Sequence, residues 1–304
     1  MLICDTHCDV LWRKAYHPEE ECVVTMENMK KGGISLQVLA LFSGSDRYAA
    51  VSHEVAMNEL AEFQKLKASG WEQAFSPLEA EDGQTKVMLS IEGGEVMEGS
   101  VERLREFYAE GVRMIALTWN RDNEIAHSAR YGSPLGIKPQ GWAILREMEK
   151  LGVAADTSHL NERGFWDLIE KHGQPPMASH SCCRSLCVNW QWRNLSDEQI
   201  RAMIMRGGWI GVNFCPAFLC DDSRASVSSV CDQIDYICQL GGAKHVGLGS
   251  DYDGIEHTPE GLENPSKVPA IFTELRRRGY DEETVKDIAG RNFLAYYERL
   301  TPGK

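Results

Sequence analysis

Residues 1–9 read MLICDTHCD, a short apolar run that gives way within one residue to a knot of metal- and proton-binding side chains. On an extended segment, residues i and i+2 point to the same side, so His7 and Asp9 can converge while Cys8 faces away. An imidazole nitrogen and a carboxylate oxygen offered together are ligands for a divalent cation. One His-x-Asp pair decides nothing by itself. The argument comes from what the rest of the chain repeats.

Strand-like runs recur along the whole length: 1–6, ISLQVLALF (34–42), KVMLSIE (86–92), VRMIALTW (112–119), GVAADTS (152–158), PMASH (176–180), GGWIGVNF (207–214) and HVGLGSD (245–251). Several are apolar almost throughout, as parallel strands covered on both faces must be. Between them, residues 51–70, 100–111, 141–152, 161–173 and 195–208 carry apolar side chains at helical spacing. Most of these end at or near a glycine, and Ser196 with Gln199 has the spacing of a capping box. Parallel strands need crossover connections, so eight strands alternating with helices predict an α/β fold, a (β/α)8 TIM-like barrel. An open doubly wound sheet is the competing arrangement. No repeat, low-complexity tract or linker divides the chain, and residues 1–304 are expected to form a single domain.

Such barrels gather their chemistry where strands end. His7 and Asp9 follow the first strand, Glu92 ends the third, His159 follows the fifth, His180 closes the sixth and Asp251 closes the eighth. Most single histidines are surface or hydrogen-bonded core groups, and a lone aspartate often caps a loop. Five nitrogen and oxygen donors in one pocket are different, because without a cation they would leave buried charge unpaired. A pair of divalent ions removes that conflict. Histidine and carboxylate donors without cysteine favour zinc, with manganese or cobalt able to use the same set. The strand-end position of Asp251 favours a catalytic part for it, and Asp5 and Asp156 are expected to hydrogen-bond a ligand from behind.

Composition bounds the partners. At 304 residues and 43% hydrophobic, the chain can bury a large core. A formal charge of −13 argues against nucleic acid. It does not argue against an acidic substrate, since a bound metal reverses the local field. No apolar stretch reaches transmembrane length, so no membrane partner is expected, and MLIC is too short for a secretion signal. The ten cysteines follow no repeated spacing and read as reduced thiols, Cys182 and Cys183 included, which makes the cytoplasm the expected location.

The motifs DTHCD (5–9), IEGGE (91–95), IALTWN (115–120), ADTSH (155–159), ASHS (178–181), RN (193–194), VGLGSDYDG (246–254), GLENPSK (261–267) and GRNFLAYYE (290–298) span nearly the whole chain. In their order and spacing the sequence resembles the membrane (renal) dipeptidase family, binuclear zinc peptidases on an amidohydrolase-type barrel. The resemblance implies two Zn2+ per chain, one held by His7 and Asp9 and the other by His159 and His180, with Glu92 bridging. It implies that Asp251 handles the proton and that Arg193 receives the substrate's terminal carboxylate, with Trp119 and Asn120 also against the substrate. The implied activity is hydrolysis of L-Xaa-L-Xaa and L-Xaa-D-Xaa dipeptides by a metal-bridged hydroxide, and the implied partners are a short peptide and, as in many family members, a second copy in a homodimer.

One departure stands out. Well-known members carry a histidine where this chain has Trp119, whose N–H can donate one hydrogen bond but cannot take up a proton. His127 is the nearest replacement imidazole in sequence, but NEIAHSARYG (123–132) reads as a surface loop. Two other functions are weighed against the dipeptidase reading. One is another binuclear amidohydrolase-type hydrolase acting on an N-acyl amino acid, cyclic amide or lactone. The other is a non-catalytic metal-binding barrel, favoured by Trp119 alone.

Overall fold

The computed structural model describes residues 1–44, 46–222 and 224–300. Eight parallel strands close on themselves in chain order: β1 (Ile3–Asp5), β2 (Ile34–Phe42), β3 (Lys86–Glu92), β4 (Val112–Ala116), β5 (Ala154–Asp156), β6 (Met177–Ser181), β7 (Trp209–Val212) and β8 (Val246–Leu248). The ring shuts where Asp5 of β1 stands opposite Leu248 of β8. A two-residue strand, Glu72–Gln73, lies beside the start of β3. The sheet is therefore a closed (β/α)8 TIM-like barrel and not an open doubly wound sheet.

Alternation along the strands builds two cores. Leu36 and Val38 of β2 join Met88, Met114, Met177 and Trp209 in an inner cluster. Leu39 and Leu41 of the same strand pack outward with Leu60 and Phe63 of α3 (Ser52–Ala68). Gly247 makes room for the inner filling: a Cβ there would stand 2.2 Å from the ring of the fully buried Trp209.

The remaining helices are α1 (Val10–Tyr16), α2 (Met26–Gly32), α4 (Val101–Ala109), α5 (Pro139–Leu151), α6 (Glu162–Lys171), α7 (Asp197–Met205), α8 (Pro216–Leu219), α9 (Val227–Ile237), α10 (Pro269–Arg277), α11 (Glu282–Lys286) and α12 (Asn292–Glu298). The Ser196–Gln199 capping box is formed in both directions at the start of α7. Helix α12 plugs the barrel from below. Phe293, Tyr296 and Tyr297 belong to the inner cluster, and the Tyr296 and Tyr297 hydroxyls donate to Pro175 O and Gly152 O just ahead of β6 and β5. With that end filled, only the C-terminal ends of the strands are left open for a site.

Five strands, β1, β4, β5, β7 and β8, stop earlier than their sequence runs suggest. β4 ends at Ala116 and not at Trp119, because Leu117 O accepts from Gly94 N and Asn123 Nδ2 while Thr118 Oγ1 donates to His159 O. β5 and β8 are trimmed to three residues each. In each case the chain leaves the ladder to aim side chains into the space above the barrel.

Candidate active site

The side chains at the open end converge. One oxygen of Glu92, Oε1, lies 3.0 Å from His159 Nε2 and 3.2 Å from His180 Nε2. Its other oxygen, Oε2, lies 3.7 Å from His7 Nε2. His7 Nε2 in turn stands 3.4 Å from Asp9 Oδ2 and 3.7 Å from Asp251 Oδ1. Two donor groups thus flank one carboxylate, each on its own oxygen. Cys8 points the other way, into the helix-side core, as the alternation requires.

The imidazoles of His159 and His180 are fixed from behind. His159 Nδ1 meets Asn120 Oδ1 at 2.9 Å, and His180 Nδ1 meets Ser179 Oγ at 2.7 Å, so both rings turn Nε2 inward. Asp5 hydrogen-bonds His7 as expected, though through the backbone and not the ring, whereas Asp156 bonds neither His159 nor His180. Asp5 accepts from Ser250 N and Oγ and from the His7 backbone N, tying β1 to the loop after β8. Asp156 accepts from Ser158 N and Ser179 N, beside His159 and His180. A short side chain at the end of a central strand reaches the neighbouring backbone before it reaches an imidazole.

Backbone strain is concentrated here. His159 and Asp251 adopt left-handed φ values of 64° and 65°, conformations that cost a non-glycine residue about 1–3 kcal/mol. Gly254 lets the following loop close over the carboxylates, since a Cβ there would lie 2.0 Å from Asp9 Oδ2 and 2.7 Å from Asp251 Oδ1.

The electrostatics ask for positive charge. Burial disfavours the imidazolium of His7, yet Asp9, Glu92 and Asp251 outweigh it and push the ring up to about 10. Burial, reinforced by Asp9, raises Glu92, and burial raises Asp251 to about 7. His159 and His180 are driven down by burial, then by the cations Arg193 and His7, which leaves them neutral as ligands must be. His7 Nε2 and Asp9 Oδ1 are buried with no hydrogen-bond partner. Leaving such atoms unmet costs about 1–3 kcal/mol each, and one cation between them would satisfy both. The residues present therefore fit bound metal.

A cleft of about 670 Å3 opens above this floor, lined by Asp9, Glu92, His159 and Asp251 together with Trp12, Phe42, Trp119 and Asn120. Arg193 is buried and not on the surface: it donates to His180 O at 2.9 Å and Ser181 Oγ at 3.3 Å, and its Nη2 lies 3.0 Å from His159 Nε2. It lines a smaller cavity of about 240 Å3 that shares His159 with the cleft. His127 does not join either space; its Nδ1 pairs with Asp122 at 2.6 Å. Trp192 borders the smaller cavity, and Trp190 packs edge-on against Phe218. Asn213 is the residue that sequence reading missed. Fully buried at the end of β7, it donates to Asp251 Oδ2 at 2.8 Å, and its only sequence signal is a polar residue closing the apolar run WIGV.

Residues 1–299 match the family model for the membrane dipeptidases, peptidase family M19. The chain belongs to that family. It is thereby placed among metallo-dipeptidases. An uncharacterized protein in the pqqA 5′ region of Klebsiella pneumoniae is 36% identical over 70% of this chain and 82% of its own length. An uncharacterized dipeptidase of Schizosaccharomyces pombe is also 36% identical, over 69% of this chain, which spans about half of that protein (52%). Among solved structures, dipeptidase AC, a family M19 metallopeptidase, superposes with a TM-score of 0.90 at 25% identity and 98% coverage of both chains. A Rhodobacter sphaeroides metallopeptidase, liganded with a phosphinate mimic of L-Ala-D-Ala, shares the fold at a TM-score of 0.89, 24% identity and 99% coverage of both. Despite the family's name, no helix among the described residues is long and apolar enough to cross a membrane.

Proposed function

We propose that this protein hydrolyses dipeptides with free ends at a two-zinc centre held by His7, Asp9, Glu92, His159 and His180. The observation that carries the reading is the division of Glu92: one oxygen faces His7 and the other faces His159 and His180, at the floor of an open cleft. When bound, a zinc pair supplies Lewis acidity and brings the ionisation of water close to neutral pH.

The chain's own groups complete the reaction. Asp251 is locked by Asn213 through one oxygen and presents the other toward His7, above the floor. A buried carboxylate at this position can take a proton from the attacking water and release it to the departing amine. Arg193, cradled by His180 O and Ser181 Oγ, offers a planar donor set for the terminal carboxylate and thereby fixes the amide over the floor. Asn120 holds the His159 ring and Trp119 walls the substrate space beside it. Both L,L and L,D dipeptides are included, the second in line with the dipeptide mimic bound by the Rhodobacter protein. All ten cysteines are free, which suits the reducing cytoplasm.

The decisive experiment couples metal analysis of the purified protein to a panel of L,L and L,D dipeptides and N-acyl amino acids. About two zinc ions per chain with dipeptide turnover is the expected result. Turnover of N-acyl amino acids alone would move the chain to another hydrolase class, and two zinc ions without any hydrolysis would leave only a metal-binding barrel.

A further inference from the structure

The hydrolysis argued above uses the floor of the cleft and gives its walls no part in choosing the substrate. Those walls are aromatic on one side. The Trp119 ring lies 6.3 Å from the His159 imidazole, Phe42 sits edge-on to Trp119 at 5.0 Å, and Trp12 sits edge-on to Phe42 at 5.1 Å. Tyr16 and Tyr48 back the far end of the row, 4.5 and 5.3 Å from Trp12. Trp12, Phe42 and Trp119 all line the cleft, and Phe218 and Ile255 add apolar surface to it. A row of rings held by edge contacts is a rigid platform of the kind that seats another ring or a large aliphatic group.

Charge gives the cleft a direction. Beyond the metal-facing residues, the exposed carboxylates on its lining are Glu20 and Glu256, while that of Asp253 is buried and accepts from Val23 N and Val24 N. Arg13, its one arginine, is paired with Glu20 and also donates to Asp253 O. The buried cation Arg193 lies off the cleft, in the neighbouring cavity on the other side of His159. A dipeptide carries opposite charges at its two ends. With its carboxylate at Arg193 and its amide over the floor, the ammonium end enters the acidic cleft and the first side chain meets the aromatic row.

We infer that Trp12, Phe42 and Trp119 form the pocket for the N-terminal residue's side chain, and that Trp119 is the specificity-determining residue of this chain. The preferred substrates are dipeptides whose first residue is large and apolar, above all aromatic. This rests on the dipeptidase reading. It also gives Trp119 a purpose: an indole adds contact surface where a proton-carrying imidazole would add chemistry.

The test is a kinetic comparison of Phe-Ala, Tyr-Ala and Leu-Ala with Ala-Ala and Gly-Ala on the zinc-loaded enzyme. The expected preference in kcat/KM for the aromatic substrates over Gly-Ala is roughly tenfold or more, carried mainly by KM. In Trp119→Ala, and more weakly in Trp12→Leu, the Phe-Ala to Gly-Ala ratio should fall toward one. The wild-type panel decides by itself should a variant fail to fold. Equal kcat/KM across the panel, or a preference unaltered in both variants, would overturn the inference and leave dipeptide hydrolysis standing. Absence of hydrolysis for every dipeptide would instead overturn the reading beneath it.

Discussion

Asp251 is held in a left-handed backbone conformation, locked by the Asn213 amide, and placed 3.7 Å from His7 Nε2. Strain of that kind persists only where surrounding contacts over-determine it, and here those contacts aim a carboxylate at the floor of the cleft. Asp251→Asn keeps the shape and removes the proton acceptor, so turnover should fall by about 100-fold or more while the zinc content stays near two. Unchanged turnover would take Asp251 out of the proton path, and loss of one zinc would make it a ligand. A second acid, Glu59, gives a pH-dependent expectation. It is fully buried on α3, with Oε2 accepting from Phe42 N and Oε1 unpartnered. Burial, reinforced by Asp9 and Glu92, raises its pKa well above the usual 4.5. A raised acid binds its proton more tightly in the folded state, so folding stability is lost as pH rises from 4.5 toward the folded value. Glu59→Gln can still accept from Phe42 N and should stabilise the metal-free protein at pH 7.5, by about 1.4 kcal/mol for each unit of elevation removed. Urea titrations should show that gain shrinking toward pH 4.5; a gain independent of pH would mean that ionisation is not its source. At this scale the sequence exposed His7, Asp9 and Glu92 through strand-end position, but Asn213 and Ser179 stayed hidden. Asn213 matters through Asp251, which it meets only after the barrel closes, and Ser179 through the ring of its neighbour His180, whose orientation the sequence does not show.

The elements most legible in the sequence were the long strands covered on both faces. β2 and β3 match the apolar runs 34–42 and 86–92 residue for residue, and every position in both is buried. Ser196–Gln199 announced α7 because the two residues cap each other locally. By contrast, α1 is seven residues long and begins directly after Asp9, so the metal motif overlies its start. α9, with the sequence VSSVCDQIDYI, mixes serines and β-branched residues that weaken a helical pattern, and tertiary packing against α10 makes it a helix. Asn161 shows how an element end reaches the site. Its Oδ1 caps α6 through Gly164 N while its Nδ2 donates to Ser133 O and Leu135 O, pinning the 126–138 loop beside the smaller cavity. Asn161→Ala removes the cap and the donor to two partly exposed carbonyls, so it should cost about 1–2 kcal/mol in denaturant unfolding. A cost below 0.5 kcal/mol would show that the loop finds other donors.

At the scale of the whole molecule, the barrel is fastened unequally at its two ends. The lower end is packed by α12, whose Phe293 ring lies 5.3 Å from Trp209. The upper end gathers side chains from β3 and β6 and from the loops after β1, β5 and β8, and three of them are carboxylates buried close together. Without cations this end carries mutual repulsion and unpartnered atoms; with them, distant parts of the chain are cross-linked through a common centre. A metal that binds only the folded state stabilises it by mass action, about 4 kcal/mol when free metal exceeds its dissociation constant a thousandfold. Complete removal of metal by a chelator, verified by elemental analysis, should therefore lower the melting temperature by about 5–10 °C. Zinc should restore it, and magnesium should not, because a site with three imidazoles suits zinc better than a cation that prefers oxygen. Helix content by far-UV circular dichroism should change little on stripping, since the lower core and α12 do not depend on the metals. Identical melting of stripped and reloaded protein would mean that the upper end needs no cation to hold its shape, and the convergence of His7, Asp9, Glu92, His159 and His180 would then require another cause.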